Sequence, residues 1–167
     1  EEEPVYFLAW TTTPWTLPAN TALAVGKGIK YVMVKTFNPY TYAPISVILA
    51  KDLVSRYFND KAKDLTLEDY NPGDKLVPFK VVEEFVGADL AGVEYHQLMP
   101  YVQPDKPAFR VVVGVFVTTE DGTGIVHISP TFGADDFRVA AQNDIPALLV
   151  TDENGKPMPI VDKQGRF

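Results

Sequence analysis

The apolar positions of the chain fall mostly in short segments rich in valine, isoleucine, phenylalanine and tyrosine, with turn-forming residues between them. β-Branched and aromatic residues suit the pleated, half-buried surface of a strand, and proline, glycine and asparagine interrupt it. The pattern predicts eight strands, at residues 5–10, 21–25, 31–36, 44–50, 80–86, 109–119, 124–129 and 147–151. We therefore expect a fold that is mainly β with short helices, its strands closed into a β-barrel.

Two segments repeat their apolar residues with a helical period instead. Residues 51–59 carry apolar side chains at the i, i+1, i+4, i+5 spacing of one helical face. Residues 134–143 begin beside Gly133 with two acids and end shortly before Pro146. Both are predicted to be short helices on the sheet. Residues 156–167 follow the hairpin dipeptide Asn154-Gly155 and are predicted to form a peripheral arm.

Composition narrows the classes of function. A chain of 167 residues has room for one domain with a hydrophobic core. Fifteen lysines and arginines against 22 acids leave a net charge of −7, which argues against a broad basic footprint for nucleic acid. With no cysteine and two histidines, His96 and His127, we expect no metal centre and no cofactor.

The chain also lacks the signals of a membrane or secreted protein. No apolar stretch approaches the roughly 20 residues that span a bilayer, and no basic region precedes an apolar run at the start. We expect a cytoplasmic domain without a membrane partner. Because there is no initiator methionine, we also expect residues 1–167 to be a single domain cut from a longer chain.

The first unusual segment, residues 10–20, reads WTTTPWTLPAN. If strand alternation continues through it, Thr11 and Thr13 share one face and Trp10 and Thr12 the other. The two prolines that follow would hold the hydroxyls and backbone amides at a fixed place. Such groups suit a neutral or zwitterionic ligand with ribose hydroxyls. A threonine-rich strand end with prolines that shape a turn would have the same composition.

The second segment runs from a predicted strand through a turn into a helix. Ile125, His127 and Ser129 share one strand face, and Asp135 and Asp136 fall in the first helical turn. Free amides and the helix dipole favour an ionised carboxylate there, and a carboxylate suits an ammonium ligand. The alternative is that Asp136 only caps the helix and His127 is a hydrogen-bonded core residue. The segment has neither the lysine of a phosphate loop nor a serine at a nucleophile elbow.

The two segments together resemble the inserted editing domain of class I isoleucyl-tRNA synthetases. TTTPWTLPAN is similar to that domain's threonine-rich peptide, and GTGIVHISPTFGADDF is similar to its second signature, in the expected order and at about the expected separation. The resemblance leaves only residues 37–107 generic. The related valyl and leucyl editing domains have arginine where this chain has Thr13, which favours the isoleucyl type. Ser129 stands where alanine is more usual.

The resemblance implies a β-barrel domain that hydrolyses valine wrongly attached to the isoleucine tRNA, with valyl-adenylate as a second candidate substrate. One methylene is worth only about 1 to 3 kcal/mol of discrimination, a limit for which isoleucyl-tRNA synthetase is itself the standard example. A second site that admits valine and excludes isoleucine completes the selection. The implied partners are the acceptor end of tRNA(Ile) and the rest of the synthetase chain.

The resemblance also implies roles for individual residues. Asp136 matches the aspartate that binds the substrate's α-ammonium group. The implied catalytic residues are Asp136, Thr13, His127 and Asn20. The implied substrate-binding residues are Thr11, Thr12, Thr16, Trp10, Phe132 and, again, Asp136.

An aminoacyl ester is already activated, so an oriented water and a stabilised oxyanion can suffice for its hydrolysis. The candidate bases are His127, Asp136 and the substrate's ribose hydroxyl, of which we favour the last. Two alternative functions stay open: a binding module for an amino acid or nucleoside without turnover, and the editing domain of a valyl- or leucyl-tRNA synthetase.

Overall fold

The computed structural model describes residues 4–11, 14–62, 64–97, 104, 108–120, 122–131, 134–147, 149–151 and 153–159. The strands in these ranges are β1 Val5–Phe7, β2 Ala22–Val25, β3 Lys30–Phe37, β4 Pro44–Ala50, β5 Lys80–Val86, β6 Arg110–Val113, β7 Ile125–Ile128, β8 Leu149–Thr151 and β9 Pro157–Pro159. The α-helices are α1 Val54–Tyr57, α2 Gly87–Leu90 and α3 Ala134–Gln142. Short 3-10 helices cover Pro14–Ala19, Lys51–Leu53, Asp60–Ala62 and Leu67–Asp69.

The strands form two mixed sheets and a hairpin. The larger sheet has the order β1-β4-β3-β5, in which β1 runs parallel to β4 and the other pairs are antiparallel. The smaller sheet has the order β6-β2-β7, with β2 parallel to β6 and antiparallel to β7. β8 and β9 pair with each other. A mainly β fold with short helices is thus confirmed, whereas the strands of the described ranges form no closed barrel, and the barrel stays a prediction.

The core is layered because both sheets bury apolar side chains on both faces. Between the two sheets, Tyr31 and Ile48 from the larger one pack with Leu23 and Ile125 from the smaller one. The other face of the smaller sheet packs against α3, and the other face of the larger sheet packs under residues 54–58. The buried Tyr31 hydroxyl donates to the Gly124 carbonyl at 2.6 Å, so a polar bond also joins the sheets.

Several predicted boundaries differ from the observed ones. β4 and β5 have the predicted bounds, but β1 ends at Phe7 and not at residue 10. The predicted strand 109–119 stops at Val113, because its partner β2 ends at Val25 and the chain then turns, with the Val117 amide donating to the Gly114 carbonyl at 3.4 Å. The predicted helix 51–59 is a 3-10 turn followed by α1.

The predicted peripheral arm begins with a strand, since β9 lies inside it; residues 160–167 are outside the described ranges. Among the helices of the described ranges, none has the length and apolar character that crossing a bilayer requires.

Candidate functional site

The pairing of β2 with β7 brings the two unusual segments together. Leu23 lies opposite His127, and the Thr21 amide donates to the Ile128 carbonyl at 3.0 Å. The 3-10 helix Pro14–Ala19 leads directly into β2, so it comes to lie beside the end of β7. Proline presets a φ that suits such a turn and removes an amide donor, which explains why this segment does not continue as a strand.

Thr16, His127 and Ser129 form a buried hydrogen-bonded cluster from both segments. Thr16 Oγ1 lies 3.2 Å from His127 Nε2. The Ser129 hydroxyl donates to the Thr16 carbonyl at 3.0 Å and lies 3.5 Å from His127 Nδ1. The three residues are 5%, 8% and 1% exposed. Burial lowers the pKa of His127, so the imidazole is neutral at pH 7.

Asp136 joins this cluster through the backbone. Its Oδ2 accepts the Ser129 amide hydrogen at 3.0 Å. Burial raises the pKa of Asp136, and the Ser129 amide opposes that shift. The helix position alone suggested a lowered pKa, so partial burial is the larger influence. Asp135, by contrast, is exposed, and its Oδ1 lies 3.6 Å from Arg138 Nη1. Of the two neighbouring acids, only Asp136 belongs to the candidate site.

Asn20 is held at both ends of its amide. Its Nδ2 donates to the Ala22 carbonyl at 2.8 Å, and its Oδ1 accepts the Tyr95 hydroxyl at 2.5 Å. The Tyr95 ring stacks edge-on against Phe109, with centroids 6.0 Å apart. Burial raises the pKa of the Tyr95 phenol, which therefore remains a donor. Sequence reasoning missed Tyr95 because it lies in the middle of the chain, 75 residues from Asn20, in no recognisable motif.

The remaining predicted site residues lie elsewhere or outside the described ranges. Trp10 is half exposed and packs beside Gly122, which precedes β7, whereas Ser129 follows that strand. The structure therefore does not place Trp10 beside the cluster. Thr11 is partly buried. Three further predictions, Thr12, Thr13 and Phe132, fall on residues outside the described ranges.

Ser129 is the second residue that the sequence reasoning left out of the site. The signal was present, because Ser129 lies two residues after His127 on the same strand face. Its contacts to Thr16, His127 and Asp136 make it the centre of the cluster.

An open cleft of about 430 Å³ adjoins the site along α3. Its lining is mostly apolar and consists of Pro130, Thr131, Phe137, Ala140, Ala141, Ile145 and Ala147. The cleft contains none of the hydrogen-bonded side chains, so it offers apolar surface beside the polar cluster. Within the described ranges, no three histidine or acidic side chains come together as metal ligands would.

No protein-family model matches the chain. Individual proteins do match it. The isoleucine–tRNA ligase of Cytophaga hutchinsonii is 65% identical over 162 residues, which are 97% of this chain and 15% of that protein. The ligase of Bacteroides fragilis is 60% identical over 162 residues, 97% of this chain and 14% of the relative. The resemblance to a segment of isoleucyl-tRNA synthetase is confirmed. The chain spans about one seventh of the length of these curated relatives.

Solved structures of leucyl-tRNA synthetase domains share the fold. The cytosolic leucyl-tRNA synthetase editing domain of P. knowlesi has a TM-score of 0.54 at 14% identity, covering 83% of this chain and 51% of that one. The CP1 domain of the enzyme named GlLeuRS has a TM-score of 0.55 at 22% identity, covering 84% and 43%. At these identities the likeness concerns the fold alone, and it matches an editing-domain architecture.

Proposed function

We propose that this chain is the editing domain of an isoleucyl-tRNA synthetase and that it hydrolyses valine attached in error to tRNA(Ile). The observation that carries the proposal is the buried cluster in which Thr16 from the first segment meets His127 and Ser129 from the second. The cluster occurs in a chain 65% identical to part of an isoleucine–tRNA ligase. The closed β-barrel that the resemblance implies belongs to the same proposal.

The cluster supports hydrolysis by an oriented water and not by a protein nucleophile. The Ser129 hydroxyl donates to the Thr16 carbonyl, so its hydrogen is engaged inside the protein. His127 is 8% exposed and already contacts two hydroxyls. Asp136 is the accessible acid of the cluster, and a carboxylate is the natural partner of the substrate's α-ammonium group. The assignment that we favour is substrate-assisted: the water oxygen bonds to the ester carbon while the neighbouring ribose hydroxyl accepts the water's proton. That hydroxyl passes its own hydrogen to the ribose oxygen that leaves as the ester bond breaks, so free valine and an intact ribose result.

The proposed partner is the single-stranded acceptor end of tRNA(Ile), with valyl-adenylate as an additional substrate. A net charge of −7 gives no extended phosphate footprint, but a terminal adenosine is held by stacking and hydroxyl contacts. The remainder of the synthetase would supply the basic surface for the tRNA body. We place this activity in the cytoplasm, where aminoacylation occurs.

The test uses Asp136→Asn in the full-length synthetase, because asparagine keeps an oxygen for the Ser129 amide and removes only the charge. Deacylation of valyl-tRNA(Ile) should fall by at least about tenfold, the ratio that corresponds to 1.4 kcal/mol of lost ionic binding. Isoleucine charging should stay unchanged. The matched control is Asp135→Asn, which removes an equal charge one residue away from an exposed position.

Equal deacylation by wild type and Asp136→Asn would contradict the assignment of Asp136. If the wild type binds valyl-tRNA(Ile) and releases the ester intact, the chain is a binding module and the hydrolytic proposal fails. If it cleaves valyl and isoleucyl esters at the same rate, selection by size fails.

A further inference from the structure

The Ser129 hydroxyl has two neighbours that could accept its single hydrogen. The Thr16 carbonyl lies at 3.0 Å and His127 Nδ1 at 3.5 Å. The shorter contact takes the hydrogen, because the Thr16 carbonyl can only accept and 3.0 Å is a usual hydrogen-bond distance, whereas 3.5 Å is a long one. The contact between Ser129 Oγ and Nδ1 is then a hydrogen bond only if the nitrogen is the donor.

The donor at Nδ1 also fixes the direction of the hydrogen bond between His127 and Thr16. A neutral imidazole has one N–H hydrogen, so a hydrogen on Nδ1 leaves Nε2 as an acceptor. Nε2 lies 3.2 Å from Thr16 Oγ1, and only the threonine hydroxyl can then donate across that contact. We propose that Ser129 is a positioning residue that fixes His127 as the Nδ1–H tautomer and thereby turns the Thr16 hydroxyl hydrogen toward the imidazole.

The consequence for the reaction rests on the proposed function. A threonine hydroxyl whose hydrogen points at His127 acts only as an acceptor toward its other neighbours, and the ammonium and ribose hydroxyls of an aminoacyl-adenosine are donors. Ser129 also donates its backbone amide to Asp136 Oδ2. One residue therefore orients two acceptor groups, the Thr16 hydroxyl through its side chain and the Asp136 carboxylate through its main chain.

The tautomer can be measured directly on this chain by two-dimensional ¹⁵N–¹H spectroscopy of the imidazole rings at neutral pH. The chain has two histidines, so His96→Gln assigns both sets of signals. His96 is exposed and serves as the internal reference for a ring that exchanges between tautomers. We expect His127 to show a protonated Nδ1 and an unprotonated Nε2, with widely separated ¹⁵N shifts. A wild-type spectrum with the hydrogen on Nε2 overturns the proposal without any variant.

Ser129→Ala removes the hydroxyl and keeps the backbone amide, so the bond to Asp136 survives. The His127 signals should move toward the averaged shifts of His96. The matched control is Thr36→Val, because the Thr36 hydroxyl also donates to a backbone carbonyl at 3.0 Å, that of Pro78, and is 5% exposed. It should leave the His127 spectrum unchanged. Unchanged His127 shifts in Ser129→Ala would show that the serine does not set the tautomer.

In the full-length synthetase, Ser129→Ala should lower kcat for valyl-tRNA(Ile) deacylation by about three- to tenfold, the effect of one lost hydrogen bond, with KM changed less than about twofold. A change in KM alone, or no kinetic change, would contradict the positioning role. The two proposals fail separately. The predicted spectra without any wild-type deacylation would refute the editing function, whereas deacylation with an Nε2–H imidazole would refute the role of Ser129.

Discussion

Tyr95→Phe tests whether the candidate site depends on a side chain that no motif marks. The substitution removes the hydroxyl that donates to Asn20 Oδ1 at 2.5 Å and keeps the ring that packs against Phe109. Asn20 is 4% exposed, so water cannot replace the lost donor. The Asn20 amide would keep its bond to the Ala22 carbonyl but lose the contact at its other end.

The expected cost follows from the burial of that oxygen. Leaving a buried acceptor unsatisfied costs about 1 to 3 kcal/mol. Part of this cost is offset, because the variant no longer has to remove the tyrosine hydroxyl from water on folding. We expect the free energy of unfolding to fall by about 1 to 2 kcal/mol. For a domain of this size, each kcal/mol lowers Tm by about 2 to 4 °C, so Tm should fall by about 2 to 8 °C.

Urea denaturation of this chain measures the change, which should shift the midpoint and leave the m-value unaltered. The control is Tyr57→Phe: the Tyr57 hydroxyl donates to the Gly122 carbonyl at 2.8 Å from an exposed position. Its removal should cost less than about 0.5 kcal/mol. A double-mutant cycle with Asn20→Ala should give a coupling energy of about 1 kcal/mol or more. Equal effects of the two tyrosine substitutions, or additive effects in the cycle, would refute the reasoning.

Three further predictions concern stability. Asp136→Ala should cost about 1 to 3 kcal/mol in urea denaturation, because the Ser129 amide loses its acceptor, whereas Asp136→Asn should stay within about 1 kcal/mol of wild type. Burial lowers the pKa of His127 below 6.5, so the unfolded chain binds more protons than the folded one and the free energy of unfolding should fall as the pH decreases below about 6.5. His127→Gln should flatten this pH dependence in urea denaturation, and an unchanged slope would contradict the burial argument. Gly124→Ala should cost about 2 to 4 kcal/mol, because φ is +76° and a Cβ would lie 2.5 Å from a β4 side chain, whereas Gly155→Ala, at the same φ in open space, should cost about 1 kcal/mol.

The accuracy of the predicted strands depended on whether the apolar run and the pairing ended together. β4 and β5 match the prediction, because the apolar run and the strand end together where a helical turn begins, at Lys51 and at Gly87. The apolar run after Phe109 continues past Gly114, but the ladder to β2 ends there, since β2 itself ends at Val25 and the chain turns after Gly114. Hydrophobicity therefore did not predict the end of the strand, and Val115, within the same apolar run, is 97% exposed. The 3-10 helix Pro14–Ala19 was missed because its threonine and two prolines are equally typical of a turn.

The site was predictable to the extent that its residues lie in recognisable segments. His127, Thr16 and Asp136 come from such segments, and the structure joins them through Ser129. The distinction between Asp136 and Asp135 could not be made from the sequence, because it depends on which face of α3 meets the end of β7. Contacts between residues far apart in the chain, such as the hydrogen bond from Tyr95 to Asn20, could not be predicted, because only the tertiary fold brings the two residues together.

The register of β2 against β7 decides whether the two segments form a site at all. Side chains alternate between sheet faces, so a slip of one residue would move His127 from the face it shares with Leu23 to the face that packs on α3. Ile128 would then meet the Thr16 hydroxyl, and Ser129 would lose both of its side-chain contacts. The register is held by apolar residues on both faces, Leu23 and Ile125 on one and Ala22 and Ile128 on the other. Since both faces are buried, the same packing that stabilises the smaller sheet also aligns the histidine with the threonine-rich segment.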